Sequence, residues 1–277
     1  MISFIVCSIN PDRTNALQKN IAKTVGVDYE FIVEDNRGNL HGICKAYNDG
    51  ARKAKYENLC FVHEDVVFRG ESWGIAIEEK LSEPQTGIIG FMGTIYKSKA
   101  PSGWNVLPNL NRSHFIQTIN GQERFSSEII GDFSPCVILD GACLFMNAKL
   151  WNKHHFDEIA CPGFHCYDID ICIQATCAGY INYVCGTCWV EHFSAGVFSI
   201  EWARNILSLH LQKWNEKLPL GDKLNSFYEA RAYYVYLKNV YKLSWNKTER
   251  MMLMKLIPFK IRHPIIALKS ITLLLNL

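Results

Sequence analysis

The stretch Leu59-Cys60-Phe61-Val62-His63-Glu64-Asp65-Val66 decides how this chain reads, because four apolar residues end abruptly in three metal-competent side chains. An apolar run of that length, preceded by the turn-forming Glu57 and Asn58, reads as a buried strand. In an open parallel sheet, ligands bind beyond the carboxyl ends of the strands, where His63, Glu64 and Asp65 would fall. Oxygen-rich groups at that place suit a divalent cation carrying a phosphorylated substrate. Taken alone, the stretch reads equally well as a solvated strand end.

Toward the amino terminus, residues 2–9 read as a first buried strand, followed by Asn10-Pro11, a helix-start signal. Residues 15–24 fit a helix, and Tyr29-Glu30-Phe31-Ile32-Val33 a second strand closed by Glu34 to Gly38. Ile43, Tyr47, Ala51 and Ala54 recur at helical spacing, which predicts an amphipathic helix over 41–55. Strand, helix, strand, helix, strand is the order of a doubly wound, right-handed parallel sheet.

Toward the carboxyl terminus, Gly87 to Gly93 reads as another core strand, and 97–128, rich in Gly, Pro, Asn and Ser, as an irregular surface excursion. Val137 to Gly141 returns to the sheet and Ala142 to Met146 continues it. Residues 168–179 fit a helix closed by a glycine, and 183–185 a short strand. Beyond about residue 200 the pattern is helical, with stripes at Trp202, Ile206, Leu209 and Trp214 and again over 228–241. A domain over 1–200 with a helical extension over 201–277 is the expected organisation.

The 277 residues are 48% hydrophobic and 20% charged, which excludes disorder, and a formal charge of +2 lacks the basic excess of a nucleic-acid binder. Eleven cysteines invite a disulfide or zinc reading. However, the first residues lack the basic start of a signal peptide, and Cys185-Gly186-Thr187-Cys188 is a solitary C-x-x-C. Reduced thiols packed as small hydrophobes, in a reducing cytoplasm, is the expectation. Residues 251–277 contain no acid and place Lys255, Lys260, Arg262 and Lys269 among aliphatics. Pro258 and Pro264 interrupt them, so a spanning helix is not expected. Such a segment fits either the interface of an anionic membrane or a cover over the rest of the protein.

Three further elements carry polar chemistry at strand or loop ends. Glu34-Asp35-Asn36 could accept from a nucleoside, or merely cap a helix. Phe164-His165-Cys166-Tyr167-Asp168-Ile169-Asp170 places two carboxylates where a helix begins, and capping accounts for one of them. Val190-Glu191-His192-Phe193-Ser194-Ala195-Gly196 sets a histidine in a polar break.

Order and spacing of these segments resemble the family 2-like GT-A glycosyltransferases. A bacterial subgroup shows an Asn-containing helix (here Ala46-Tyr47-Asn48-Asp49-Gly50) ahead of a Phe-x-His-x-Asp-Val segment (Phe61 to Val66). Asp-Gly before apolar residues (Asp140 to Leu144), Phe-His-x-Tyr-Asp-x-Asp (Phe164 to Asp170) and His-x-Ser-x-Gly (His192 to Gly196) then follow. The resemblance covers roughly residues 1–200.

It implies a GT-A fold with a mostly parallel open sheet, a nucleotide-sugar donor (UDP- or GDP-linked), Mn²⁺ or Mg²⁺, and a glycan or lipid-linked acceptor. His63-Glu64-Asp65 looks like the family's D-x-D element, with Asp65, His192 and His63 toward the metal. Asp168 looks like the catalytic base and Asp170 its helper, with Tyr167 where the family commonly has Glu. Asp35, Asn36, Asn48, Glu64, Asp140 and Gly141 are then expected around the donor. Sugar transfer needs a cation to neutralise the leaving diphosphate and a base to take the acceptor's proton. A rival expectation, prompted by the departures at His63 and Tyr167, is a catalytically silent GT-A domain that binds glycan or protein. A nucleotidyltransferase would want a Gly-rich basic loop after the first strand, which Cys7 to Pro11 is not.

Overall fold

The computed structural model describes residues 1–194, 196, 198–256 and 263–275. Strand Ile2–Ser8 leads through Asn10, whose side chain caps the Pro11–Thr24 helix by accepting from the Asp12 and Arg13 amides. Strand Tyr29–Asp35, helix Ile43–Lys53 and strand Asn58–Val62 follow, and both outer strands run parallel to Ile2–Ser8. The expected α/β core is present.

The main sheet has seven strands and is mixed. Strand Cys143–Asn147 enters antiparallel between Asn58–Val62 and Thr86–Gly90. It therefore lies beside the decisive stretch of sequence: Cys143 is paired with Val62, and the His63 amide donates to the Ala142 carbonyl at 2.9 Å. A second sheet orders Ile138–Leu139, Met92–Thr94, Asn111–Ile119, Trp189–His192 and Val66–Arg69. Ile138–Leu139 and Cys143–Asn147 thus belong to different sheets, although they read as one continuous strand in sequence. Residues 97–128 also differ from expectation. Asn111–Ile119 and Gln122–Glu128 form an antiparallel hairpin, turned at Asn120 and Gly121 with φ of 52° and 75°. Asn-Gly is the pair that a type I′ turn demands.

Alternating side chains of the main sheet feed two cores. Phe4, Phe68, Trp73 and Phe145 pack on one face, with Phe68 and Trp73 stacked at 4.2 Å. On the other face Phe61 meets Phe156 at 4.8 Å and Tyr47 at 5.2 Å. Helices Ile200–Leu209 and Ser226–Val240 send Ala203, Ile206 and Tyr236 into that second core, together with Leu144 and Ile169. Helix Pro264–Leu275 packs on Ser226–Val240. No helix among the described residues is long and apolar enough to cross a membrane. All eleven cysteines are free thiols.

Candidate active site

The site forms where the two sheets diverge after Val62. Strand Trp189–His192 pairs antiparallel with Val66–Arg69, setting His192 opposite Val66 and therefore beside Asp65. His192 Nε2 lies 3.5 Å from Asp65 Oδ1, and both side chains are 12% exposed. One potential ligand atom each from His63, Asp65 and His192 lie within 4.8 Å of one another. Two ligands on opposite sides of a cation, at bonds of about 2.1 Å, are ~4.2 Å apart, so small side-chain adjustments close this set on an ion. One carboxylate and two imidazoles fit a first-row divalent metal.

The electrostatics couple the three side chains. Burial opposes ionisation of Asp65, but His192 and His63 outweigh it and hold the carboxyl well below its usual range. Burial also opposes a charge on His192, yet the Asp65 carboxylate raises its pKa. His63 is lowered by burial and by the neighbouring His192, which keeps its imidazole neutral with a lone pair available.

Asp168 sits half-buried in the first turn of the Tyr167–Cys177 helix. Burial and the nearby Asp140 carboxylate raise its pKa to about 7, against the opposing pull of the Gly141, Asp168 and Ile169 amides. Asp140 is itself held by the Trp104 indole N–H at 2.8 Å and the Ala142 amide at 3.0 Å. Its charge also acts on His63 and His192, so Asp140 links the acid of the helix to the histidine cluster. Trp104 falls in the stretch 97–128, where the sequence carries no signal for this contact.

Other expected site residues have different work. Asp170 is 1% exposed. It accepts from Trp214 Nε1 at 2.8 Å and Gln174 Nε2 at 2.7 Å, and pairs with Lys213 Nζ at 2.9 Å. Its carboxylate is thereby tied to the C-terminal region as well as to its own helix. Asn48 donates to the Phe156 carbonyl and Glu158 and accepts from the Trp151 indole and the Phe156 amide. All four of its hydrogen-bonding positions are thereby committed inside the protein. Asn36 closes the loop to His41 through both amide atoms. Glu64 Oε2 accepts from the Ile9 and Asn10 amides and from Thr14 Oγ1, bracing the third strand's end against the first. All three positions brace the loops around the strand ends. Asp35 remains at the surface, its pKa lowered to about 2 by Arg37.

A mixed α/β sheet with a cluster of His63, Asp65 and His192 where its third strand ends is the frame in which the class is recognised, that of the glycosyltransferases. The chain belongs to the family described as "Glycosyltransferase like family", whose pattern it matches over residues 3–205. No curated protein matches it in sequence. Among solved structures it is similar in fold to S. aureus TarS 1–349 in complex with UDP, at 13% identity and a TM-score of 0.53, covering 99% of this chain and 88% of that one. The mannosyltransferase PcManGT from Pyrobaculum calidifontis, in complex with GDP-Man and Mn²⁺, is 11% identical with a TM-score of 0.51, covering 99% and 85%. GalNAc-T7 with UDP, GalNAc and Mn²⁺ is 8% identical with a TM-score of 0.56, covering 92% of this chain and 54% of that one.

Proposed function

We propose that this chain is a metal-dependent, inverting glycosyltransferase moving a sugar from a UDP- or GDP-linked donor to a hydroxyl of a glycan or lipid-linked acceptor. The observation that carries this reading is the pairing of the His63, Asp65 and His192 cluster with Asp168, a carboxyl raised to about 7. A cation held by those three residues would neutralise the charge developing on the leaving diphosphate. Imidazole ligands favour Mn²⁺ over Mg²⁺.

Asp168 takes the proton of the acceptor hydroxyl as that oxygen attacks the anomeric carbon from the face opposite the diphosphate. A base works best with a pKa near the operating pH, which burial and Asp140 give it. Trp104 fixes the Asp140 carboxylate that sets this value. Asp35, exposed at the end of the second strand and paired there with Arg37, is the candidate for the nucleoside. In this reading residues 1–200 form the catalytic unit and 201–277 the helical extension. The test is release of nucleoside diphosphate from UDP- and GDP-sugars: chelator abolishes it, Mn²⁺ restores it, and chelator-resistant turnover contradicts the proposal.

We further propose a cytoplasmic bacterial enzyme of surface-polysaccharide or glycolipid assembly that touches anionic membrane through 251–277. Ile265, Leu268 and Leu275 are 70%, 67% and 81% exposed on one stripe of the last helix, and no acid accompanies them. Pro258, Lys260 and Arg262 of the same segment lie outside the described residues.

A further inference from the structure

This chain departs from the commoner acidic residues at His63 and at Tyr167, and those two side chains touch. His63 Nε2 lies 2.7 Å from Tyr167 Oη. Tyr167 Oη also lies 2.9 Å from the carbonyl oxygen of Gly141. A carbonyl has no proton to give, and a phenol has one. That proton therefore points to Gly141; otherwise two acceptor oxygens would face each other at hydrogen-bond distance. The Tyr167 oxygen is left as acceptor, so His63 Nε2 is the donor. A neutral imidazole protonated on Nε2 carries its lone pair on Nδ1.

The surroundings make this relay rigid. Tyr167 is 4% exposed, and its ring packs against Tyr47 at 5.7 Å and Phe156 at 5.9 Å. Burial pushes its hydroxyl well above the ordinary range, so the phenol keeps its proton. A Cβ at position 141 would lie 2.2 Å from Tyr167 Oη, so only glycine leaves room for the hydroxyl to reach that carbonyl. The Asp-Gly pair and the Tyr-Asp pair are parts of one construction. Gly141, expected at the donor, is the end of the relay.

We propose that Tyr167 is a positioning residue that holds His63 in the Nε2–H tautomer, so that Nδ1 is the atom His63 offers to a divalent cation. The proposal rests on the metal reading given above. Histidines that ligate metals pass their other N–H to a fixed partner, which sets ring orientation and basicity. Tyr167 supplies that partner through an oxygen that Gly141 has already oriented.

Nitrogen-15 NMR of the imidazoles in the metal-free full chain tests it, with the His63 signal assigned by its loss in His63→Gln. The expected spectrum has a protonated Nε2 and an unprotonated Nδ1 at His63. In Tyr167→Phe the defined tautomer is lost, and Mn²⁺ affinity, read by electron paramagnetic resonance, falls roughly 10–100-fold. A wild-type His63 protonated on Nδ1 overturns the proposal, as does a Tyr167→Phe chain with unchanged tautomer and Mn²⁺ affinity. Should Tyr167→Phe not fold, the wild-type tautomer alone decides. Failure of wild type to bind Mn²⁺ would overturn the metal reading instead, and the tautomer measurement needs no metal.

Discussion

Trp214 donates its indole N–H to Oδ1 of Asp170 at 2.8 Å, joining the turn after helix Ile200–Leu209 to the helix whose first turn carries Asp168. Lys213 reaches the same carboxylate and also Asp157, so the C-terminal region closes over the back of the acidic helix. Burial raises the Asp170 pKa even against Lys213, which marks a carboxylate dependent on its partners. Lys213→Met should therefore destabilise the fold by about 3–5 kcal/mol, the cost of leaving a buried charge unpaired. Denaturant titration reads this as a lowered midpoint, and an unchanged midpoint contradicts it.

Asp168→Asn keeps the shape of the side chain and removes the base. Turnover should fall by ~10²-fold or more, the scale of general-base catalysis, while Mn²⁺ and nucleotide still bind. Loss of nucleotide binding in this variant would move Asp168 into the donor shell.

The pH dependence follows from the raised pKa of Asp168. The base acts only when deprotonated, so activity rises with pH along an acid limb whose midpoint lies at or below about 7, the bound cation drawing it downward. Asp140→Asn removes the neighbouring negative charge and should shift that limb to lower pH. A limb that stays in place, or moves up, shows that Asp140 does not tune the base.

Much of this was legible in the sequence because strands and helices of the first 62 residues carry strong periodicity, and the polar motifs sit at their ends. Asp65 and His192 come together with His63, and Asp140 lies electrostatically between those histidines and Asp168. The partners of Asp170, Lys213 and Trp214, are not legible because they lie more than forty residues on, in a stripe that only advertises apolar packing. The partners of Asn48 are hidden for the same reason: its bonds to Trp151 and Phe156 are long-range. The hairpin over 111–128 had a local signal, Asn120-Gly121, hidden among other turn-forming residues. Tyr167 stood out as a departure, but nothing in a linear sequence pairs it with His63.

Membrane contact through the last helix predicts that Ile265→Glu with Leu268→Glu, both on exposed positions, weakens sedimentation with vesicles containing anionic lipid and leaves the thermal midpoint unchanged. Added salt should weaken wild-type binding as well, since part of the attraction is screened. Equal sedimentation of wild type and variant removes this helix as the anchor.

Calorimetric titration of UDP and GDP into the full chain, with and without Mn²⁺, bears most directly on the reading of His63, Asp65 and His192 as a metal centre that receives a nucleotide-sugar donor. One of the two nucleotides should bind only when Mn²⁺ is present, and Asp65→Ala should abolish that dependence along with the binding. Binding that ignores Mn²⁺ and Asp65, or no binding of either nucleotide under any condition, would contradict the account.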